Sequence, residues 1–137
     1  MAWVVSNIKW IMLVSGVLTC TMLYAAIAPE AALTSTFGQS LTGPVAAIVV
    51  RNWGALIGLI GLTLIYGAFV PSVRPVVLSV AATSKLVFVA LVLSYGRQFL
   101  AFQAGVAVAV DSLWVLVFAA YLVSVRRTVL ATGARSV

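Results

Sequence analysis

Three ionisable residues stand inside apolar stretches of this sequence. Arg51 lies in "VVRNWGALIG", Lys85 in "VLSVAATSKLVFVALVLSY" (77–95) and Asp111 in "VAVAVDSLWVLVF". A guanidinium, an amine and a carboxylate can do three things together. They can neutralise one another, hold an anionic or amphiphilic ligand, or supply a basic amine that attacks an electrophile. Ser84 and Ser112 stand beside them, and Thr19, Cys20 and Thr21 of the first stretch, Asn52 of the second and Gln98 and Gln103 of the third connection add polar groups to the outer half. Taken singly, each of these is a satisfied helix hydroxyl, thiol or amide. Taken together, they describe a polar cavity opening away from the cytoplasm.

The elements that must position these groups are transmembrane helices. The chain of 137 residues is 64% hydrophobic and 7% charged, with a mean hydropathy of +1.24. A soluble domain carries roughly 25% charged residues, so the lipid bilayer must be the solvent here. Four stretches reach the ~20 apolar residues that a spanning helix needs: about 7–28, 44–70, 76–96 and 102–125. Pro44 and Pro75 open the second and third, as suits a first helical turn. Arg126 and Arg127 close the fourth, leaving a frayed or interfacial tail. The expected fold is all-α, a single transmembrane domain over 1–137 built as an up-down four-helix bundle.

Three connections join the spans. "PEAALTSTFGQSLTG" (29–43) begins with Pro29 and Glu30, which start a short interfacial helix that Gly38 and Gly43 then break. "PSVRP" (71–75) is a tight turn, and "GRQFLAFQ" (96–103) is short and amphipathic. The stretch ending "YAAIA" resembles a signal-peptide cleavage site, but Pro29 would follow the cut, so an uncleaved first helix is expected. Lys9, Arg74, Arg126, Arg127 and Arg135 gather on the side of the termini, which the positive-inside rule places in the cytoplasm. Trp3, Trp10 and Tyr121 fit an aromatic belt on that side. Tyr24, Tyr95 and Phe99 fit the opposite one.

Helical rise sets depths. Lys85 falls near the midplane, with Asp111 about 4 Å and Arg51 about 9 Å toward the far side. Lys85 is some 14 Å from either end, while its side chain reaches only about 6 Å, too short to snorkel. Azimuth puts Arg51, Gly54, Gly58 and Gly61 on one face. Glycines at this spacing let a neighbouring helix approach closely. Lys85 shares a face with Ala81, Ala82 and Val89, and Asp111 with Ala104, Ala107 and Val115. The lean of helical side chains toward their own N-termini separates Lys85 from Asp111, so a water or ligand is expected to close the gap. Arg51, Lys85 and Asp111 thus form an interior set with two cations and one anion. Three remedies are open: a neutral Lys85, Glu30 folding back to Arg51, or an anionic ligand.

Other chemistry is scarce. There is one cysteine and no histidine, which leaves no intramolecular disulfide and no Cys/His metal set. No cofactor or metal site is expected. No glycine-rich phosphate loop or catalytic triad occurs, so the chain does not read as an enzyme. Lys85 is the one remote catalytic candidate. The net charge of +6 is spread over segment ends, unlike the clustered face of a nucleic-acid binder.

The stretches "RNWGALIGLIGLTLIYGAF", "VRPVVLSVAATSKLVFVALVL" and "VDSLWVLVFAAYL", with Ala28-Pro29 ending the first helix and Asp111 late in the fourth, resemble small bacterial DoxX-like membrane proteins. The resemblance spans most of 25–123. It implies a four-helix bundle of the bacterial inner membrane and brings no activity with it. Small multidrug transporters share the size and helix number but carry an embedded glutamate in helix one, which this chain lacks. The first functional reading is therefore a structural or accessory subunit of a membrane complex or homo-oligomer, with the charges setting helix register. It predicts a closed cluster and no cavity. The alternative is binding or transport of an anionic or lipid-like molecule, which needs a cavity.

Overall fold

The computed structural model describes residues 2–133, with side chains through Arg127. Arg135 lies outside the described residues. The fold is all-α, with helices α1 (Ala2–Cys20), α2 (Leu23–Ile27), α3 (Pro29–Phe37), α4 (Pro44–Phe69), α5 (Arg74–Tyr95) and α6 (Gln103–Gly133). Two 3-10 turns, Pro71–Val73 and Arg97–Ala101, join α4 to α5 and α5 to α6. Among the described residues, four segments are long and apolar enough to cross a membrane: Ala2–Ile27, Pro44–Phe69, Pro71–Tyr95 and Gln103–Arg127. They make an up-down bundle in the cyclic order α1–α4–α5–α6. Many large apolar residues, such as Ile48, Leu59, Val76 and Leu116, stay exposed on its outside, as a lipid-facing surface requires.

The elements differ from the sequence expectation at two ends of helices and one interior point. The first helix starts at Ala2 rather than near residue 7. Ser6 Oγ and Asn7 Nδ2 both donate to the Trp3 carbonyl, at 3.0 and 2.9 Å, so these polar residues bond within the helix. The span is broken at Thr21 and Met22. There the Thr21 N–H and hydroxyl both bond to Leu18 O, at 3.2 and 2.6 Å, and this 3-10 tightening interrupts the α-helical ladder. The fourth helix does not close at Arg126 and Arg127 but continues to Gly133. Arginine is a good helix former; the pair ends the apolar window, not the helix. The first connection holds α3, which ends at Gly38 with φ 68°. That left-handed conformation is one glycine takes at little cost.

The bundle is two hairpins of unequal intimacy. The first pairs α1 and α2 with α4, and the second pairs α5 with α6; the contacts between hairpins are sparser. Glycines explain the first. A Cβ added at Gly54 would lie 2.7 Å from Ala26 N and 2.8 Å from Met22 O. One at Gly61 would lie 2.6 Å from Cys20 Sγ and 2.8 Å from Gly16 O, and one at Gly16 2.9 Å from Gly61 O. Gly58 seats the Leu23 side chain. As α4 advances, its neighbours on the first span step backward, so the two run antiparallel. Their backbones touch, which supplies the dispersion contact that lipid cannot replace.

Packing is uneven along the bundle axis. At the end that carries the termini, Ile8, Met12, Leu64, Leu78, Phe118 and Tyr121 form a closed core. Tyr121, expected in an interfacial belt, is buried in it, whereas Trp3 and Trp10 are exposed as that belt requires. At the opposite end a smaller cluster, Ala25, Ala32, Leu33 and Val50, fastens α2 and α3 to α4. Tyr24 and Tyr95 are exposed there, and Phe99 stacks edge-on against Phe37 with ring centroids 5.4 Å apart.

Three arginines close the carbonyl ends of three spans. Arg51 Nη1 donates to Ala26 O and Ile27 O, at 2.6 and 3.2 Å. Arg74 donates to Gly67 O and Ala68 O, at 3.1 and 2.8 Å. Arg97 Nε donates to Leu93 O at 2.8 Å. A helix leaves its last carbonyls unpaired and carries a partial negative charge there. Each arginine answers both needs.

Gly61→Ala should cost about 1–3 kcal/mol of stability, because the new methyl meets backbone that cannot rotate aside. Leu59→Ala, on the lipid-facing side, should cost about 0.5 kcal/mol or less. Thermal unfolding of the two variants in the same detergent checks this ordering.

Candidate functional site

Lys85 sits near the middle of α5 on its buried face, with Leu78, Ala81, Val89 and Val92. Asp111 sits two turns into α6. The structure brings these two together: Lys85 Nζ donates to Asp111 Oδ1 at 2.5 Å. No bridging water or ligand is needed to close the gap expected from side-chain lean. The lysine's long, flexible stem absorbs the offset that short side chains could not. A second bond runs from Lys85 Nζ to Thr19 Oγ1 on α1, at 3.3 Å. The pair joins the two helices of the second hairpin, and the threonine ties that hairpin to the first.

Arg51 is not part of this set. The expectation of a three-residue interior cluster is corrected by its bonds to Ala26 O and Ile27 O, on the exposed outer end of the α2–α4 contact. The physical reason is Gly54, one turn further along α4. It lets the backbones close up until the guanidinium reaches the carbonyl end of α2. None of the three remedies for a surplus cation is therefore drawn on for Arg51. Glu30 is exposed, and the Lys85–Asp111 pair is the salt bridge found among the described residues.

The remaining residues separate into two groups. A cavity of about 480 Å³ lies between the hairpins. Lys85, Asp111, Thr19, Ser84 and Gln103 line it, as do Thr21, Thr36, Ile57, Trp53 and Trp114. Asn52 is exposed on α4 and does not line it. Ser112 is turned to its own helix, donating to Val108 O at 2.7 Å. Cys20 Sγ approaches Gly58 O at 3.7 Å, inside the glycine contact. Gly54, Gly58 and Gly61 are buried against the first span.

Electrostatically, the cavity wall holds one cation and one anion. The Lys85 side chain is 9% exposed and that of Asp111 18%, so the carboxylate is the more open partner. An ammonium has three donors, of which Lys85 uses two. Asp111 Oδ2 has no hydrogen-bond partner among the described residues, and neither have the side chains of Thr36, Ser84 and Gln103. The wall therefore offers both donors and acceptors over an otherwise apolar volume. One turn from Thr19 toward the termini, Ser15 is fully buried with no partner for its hydroxyl, so the polar face of α1 ends in the closed core. The aromatic walls were missed from sequence. Trp114 had a signal, since it lies three residues after Asp111 and so on the same helical face. Trp53 and Thr36 had none, because which face of α4 and α3 turns inward depends on how the hairpins meet.

Two variants test this account of the charges. Lys85→Met alone should destabilise by about 3 kcal/mol by leaving Asp111 unpaired, whereas Lys85→Met with Asp111→Leu should fall within about 1 kcal/mol of the wild type. Unfolding free energies in a double-mutant cycle give both values. Arg51→Met should cost about 1–2 kcal/mol through its lost charge-assisted bonds and should speed proteolytic cutting within 29–43. Arg51→Lys should recover only part, because an ammonium lacks the planar fork; limited proteolysis of the three proteins ranks them.

A scan against protein-family models and searches of curated proteins and of solved structures find no match to this chain.

Proposed function

We propose that this protein binds a small amphiphilic molecule in the cavity between its two helical hairpins, inside the membrane. The observation that carries the reading is the cavity of about 480 Å³ with the Lys85–Asp111 pair in its wall. Ligand sites are concave, mostly apolar and fitted with a few polar groups, at volumes of roughly 300–1,000 Å³. This cavity has that constitution. An accessory or homo-oligomeric scaffold needs only the closed cluster; it gives no reason for a void beside an ion pair. Ionisable groups within a membrane serve function more often than packing.

The pairing also narrows the ligand's charge. With Arg51 occupied by helix-end carbonyls, the cavity is left with one positive and one negative group. A net anion would compete with Asp111 for Lys85 and strand a carboxylate in low dielectric. A neutral polar head is the better match. Catalysis by Lys85 is not part of this reading, because an amine held between Asp111 and Thr19 is not free to attack an electrophile. We further place both termini in the cytoplasm, on the Lys/Arg distribution, and the chain in a bacterial inner membrane, on its resemblance to DoxX-like proteins. The cavity then belongs to the half of the bilayer away from the cytoplasm.

Trp53 and Trp114 report on binding directly. In a Trp3→Phe, Trp10→Phe background reconstituted in lipid nanodiscs, titration with a bromine-terminated dodecanol should quench the two cavity tryptophans along a saturable curve. Lys85→Met with Asp111→Leu should weaken that saturable phase about tenfold or more. A quench that rises linearly and identically in both proteins would mean simple partitioning, and the binding reading would fall.

A further inference from the structure

A second hollow adjoins the cavity. It has about 370 Å³ and lies between α4 and α5, walled by Val49, Val50, Leu91, Val92, Tyr95 and Phe99 among others, with no charged side chain. Trp53 and Phe88 belong to the walls of both. They stand where the polar cavity passes into the apolar groove. The geometry of α4 and α5 explains the gap. At the end of the termini they are joined by the 3-10 turn Pro71–Val73 and by packing of Gly67 near Val77, and no comparable glycine contact holds them at the other end. Val49, Leu91 and Tyr95 are 60%, 53% and 81% exposed. On membrane-spanning helices Val49 and Leu91 face hydrocarbon while Tyr95, at the end of α5, stands at the rim, so the groove opens sideways into the bilayer.

Building on the cavity-binding reading above, we propose that the ligand is a single-chain, uncharged amphiphile that enters from the bilayer between α4 and α5. Its head lies in the cavity at Lys85 and Asp111, and its chain passes between Trp53 and Phe88 into the groove. The chemistry of the head follows from what the pair leaves unused. Lys85 has one spare donor and Asp111 Oδ2 one spare acceptor position. A hydroxyl or a primary amide satisfies both at once, since each donates and accepts. A carboxylate does not, because it has nothing to give Asp111, and a carboxylate or phosphate alike adds a charge that the neutral pair cannot balance.

Depth selects the same class. The groove walls lie toward the surface from Lys85, so the head sits deeper than the chain, the reverse of a bilayer lipid. Carrying a charged headgroup to that depth is costly, whereas a neutral hydroxyl or amide that regains its hydrogen bonds makes the passage at much lower cost. The apolar groove offers the chain the same solvation as the lipid it leaves. The specificity therefore rests on the head, and the groove sets the requirement for one chain.

The test uses the full chain in phosphatidylcholine nanodiscs and two hexadecanol photoprobes, one with a diazirine at the chain terminus and one with it beside the hydroxyl. Adducts are located by peptide mass spectrometry with and without excess unlabelled hexadecanol. The expected result is terminal adducts on Val49, Leu91 or Tyr95 and head-side adducts on Ile57 or Trp114, both reduced about tenfold by the competitor. Hexadecyl phosphate at the same excess should leave them in place. Competed adducts of both probes confined to the cavity would overturn the groove while leaving cavity binding standing. Equal competition by hexadecyl phosphate would overturn the neutral head. If nothing is competed at either position, the groove and the cavity reading fail together.

Discussion

The backbone contact between the first span and α4 is the constraint on which the rest of the structure depends. Gly16, Gly54 and Gly61 bring the two helices so close that no methyl fits between them. In hydrocarbon there is no hydrophobic gain from pairing apolar faces, so this intimacy supplies the association through dispersion. It also sets positions elsewhere. It carries Arg51 to the carbonyls of Ala26 and Ile27. It fixes the rotation of α1 so that Thr19 faces the interior. And it makes the first hairpin a rigid wall against which the second can only partly settle.

The second hairpin is held differently. Lys85 and Asp111 join α5 to α6 with one short ion pair, and the bond to Thr19 reaches across to the first hairpin. Burying two charges is costly, and their attraction recovers that cost only when the geometry is good. Here the pair borders a cavity rather than solid packing. Beneath it, toward the termini, Leu64, Leu78 and Phe118 close the bundle completely. The molecule thus has a sealed half and an open half, with its charge pair at the boundary.

The arginines show how the lipid environment acts on backbone as well as side chains. In water, the last carbonyls of a helix are solvated or folded onto a glycine cap. Inside or near a membrane that solvation fails, and each exposed carbonyl becomes a liability. Arg51, Arg74 and Arg97 answer it at the ends of three successive spans. Arg74 was legible in sequence as a topology marker, and Arg51 as an interior partner for Asp111. The structure gives all three a common role in helix termination.

Much of the molecule was readable without coordinates. Composition required a membrane solvent, hydropathy marked four spans, and the spacing of Gly54, Gly58 and Gly61 described a helix-packing face, because these features belong to single helices and to local periodicity. The places of Lys85 and Asp111 inside the third and fourth spans were legible in the same way. What only the tertiary structure decided was azimuth between helices. It paired Lys85 directly with Asp111 and took Arg51 out of the set. It turned Trp53 and Thr36 inward, buried Tyr121, and left a cavity between unequally packed hairpins. Each of these depends on how four faces rotate against one another, and rotation is fixed by contacts between residues far apart in the chain.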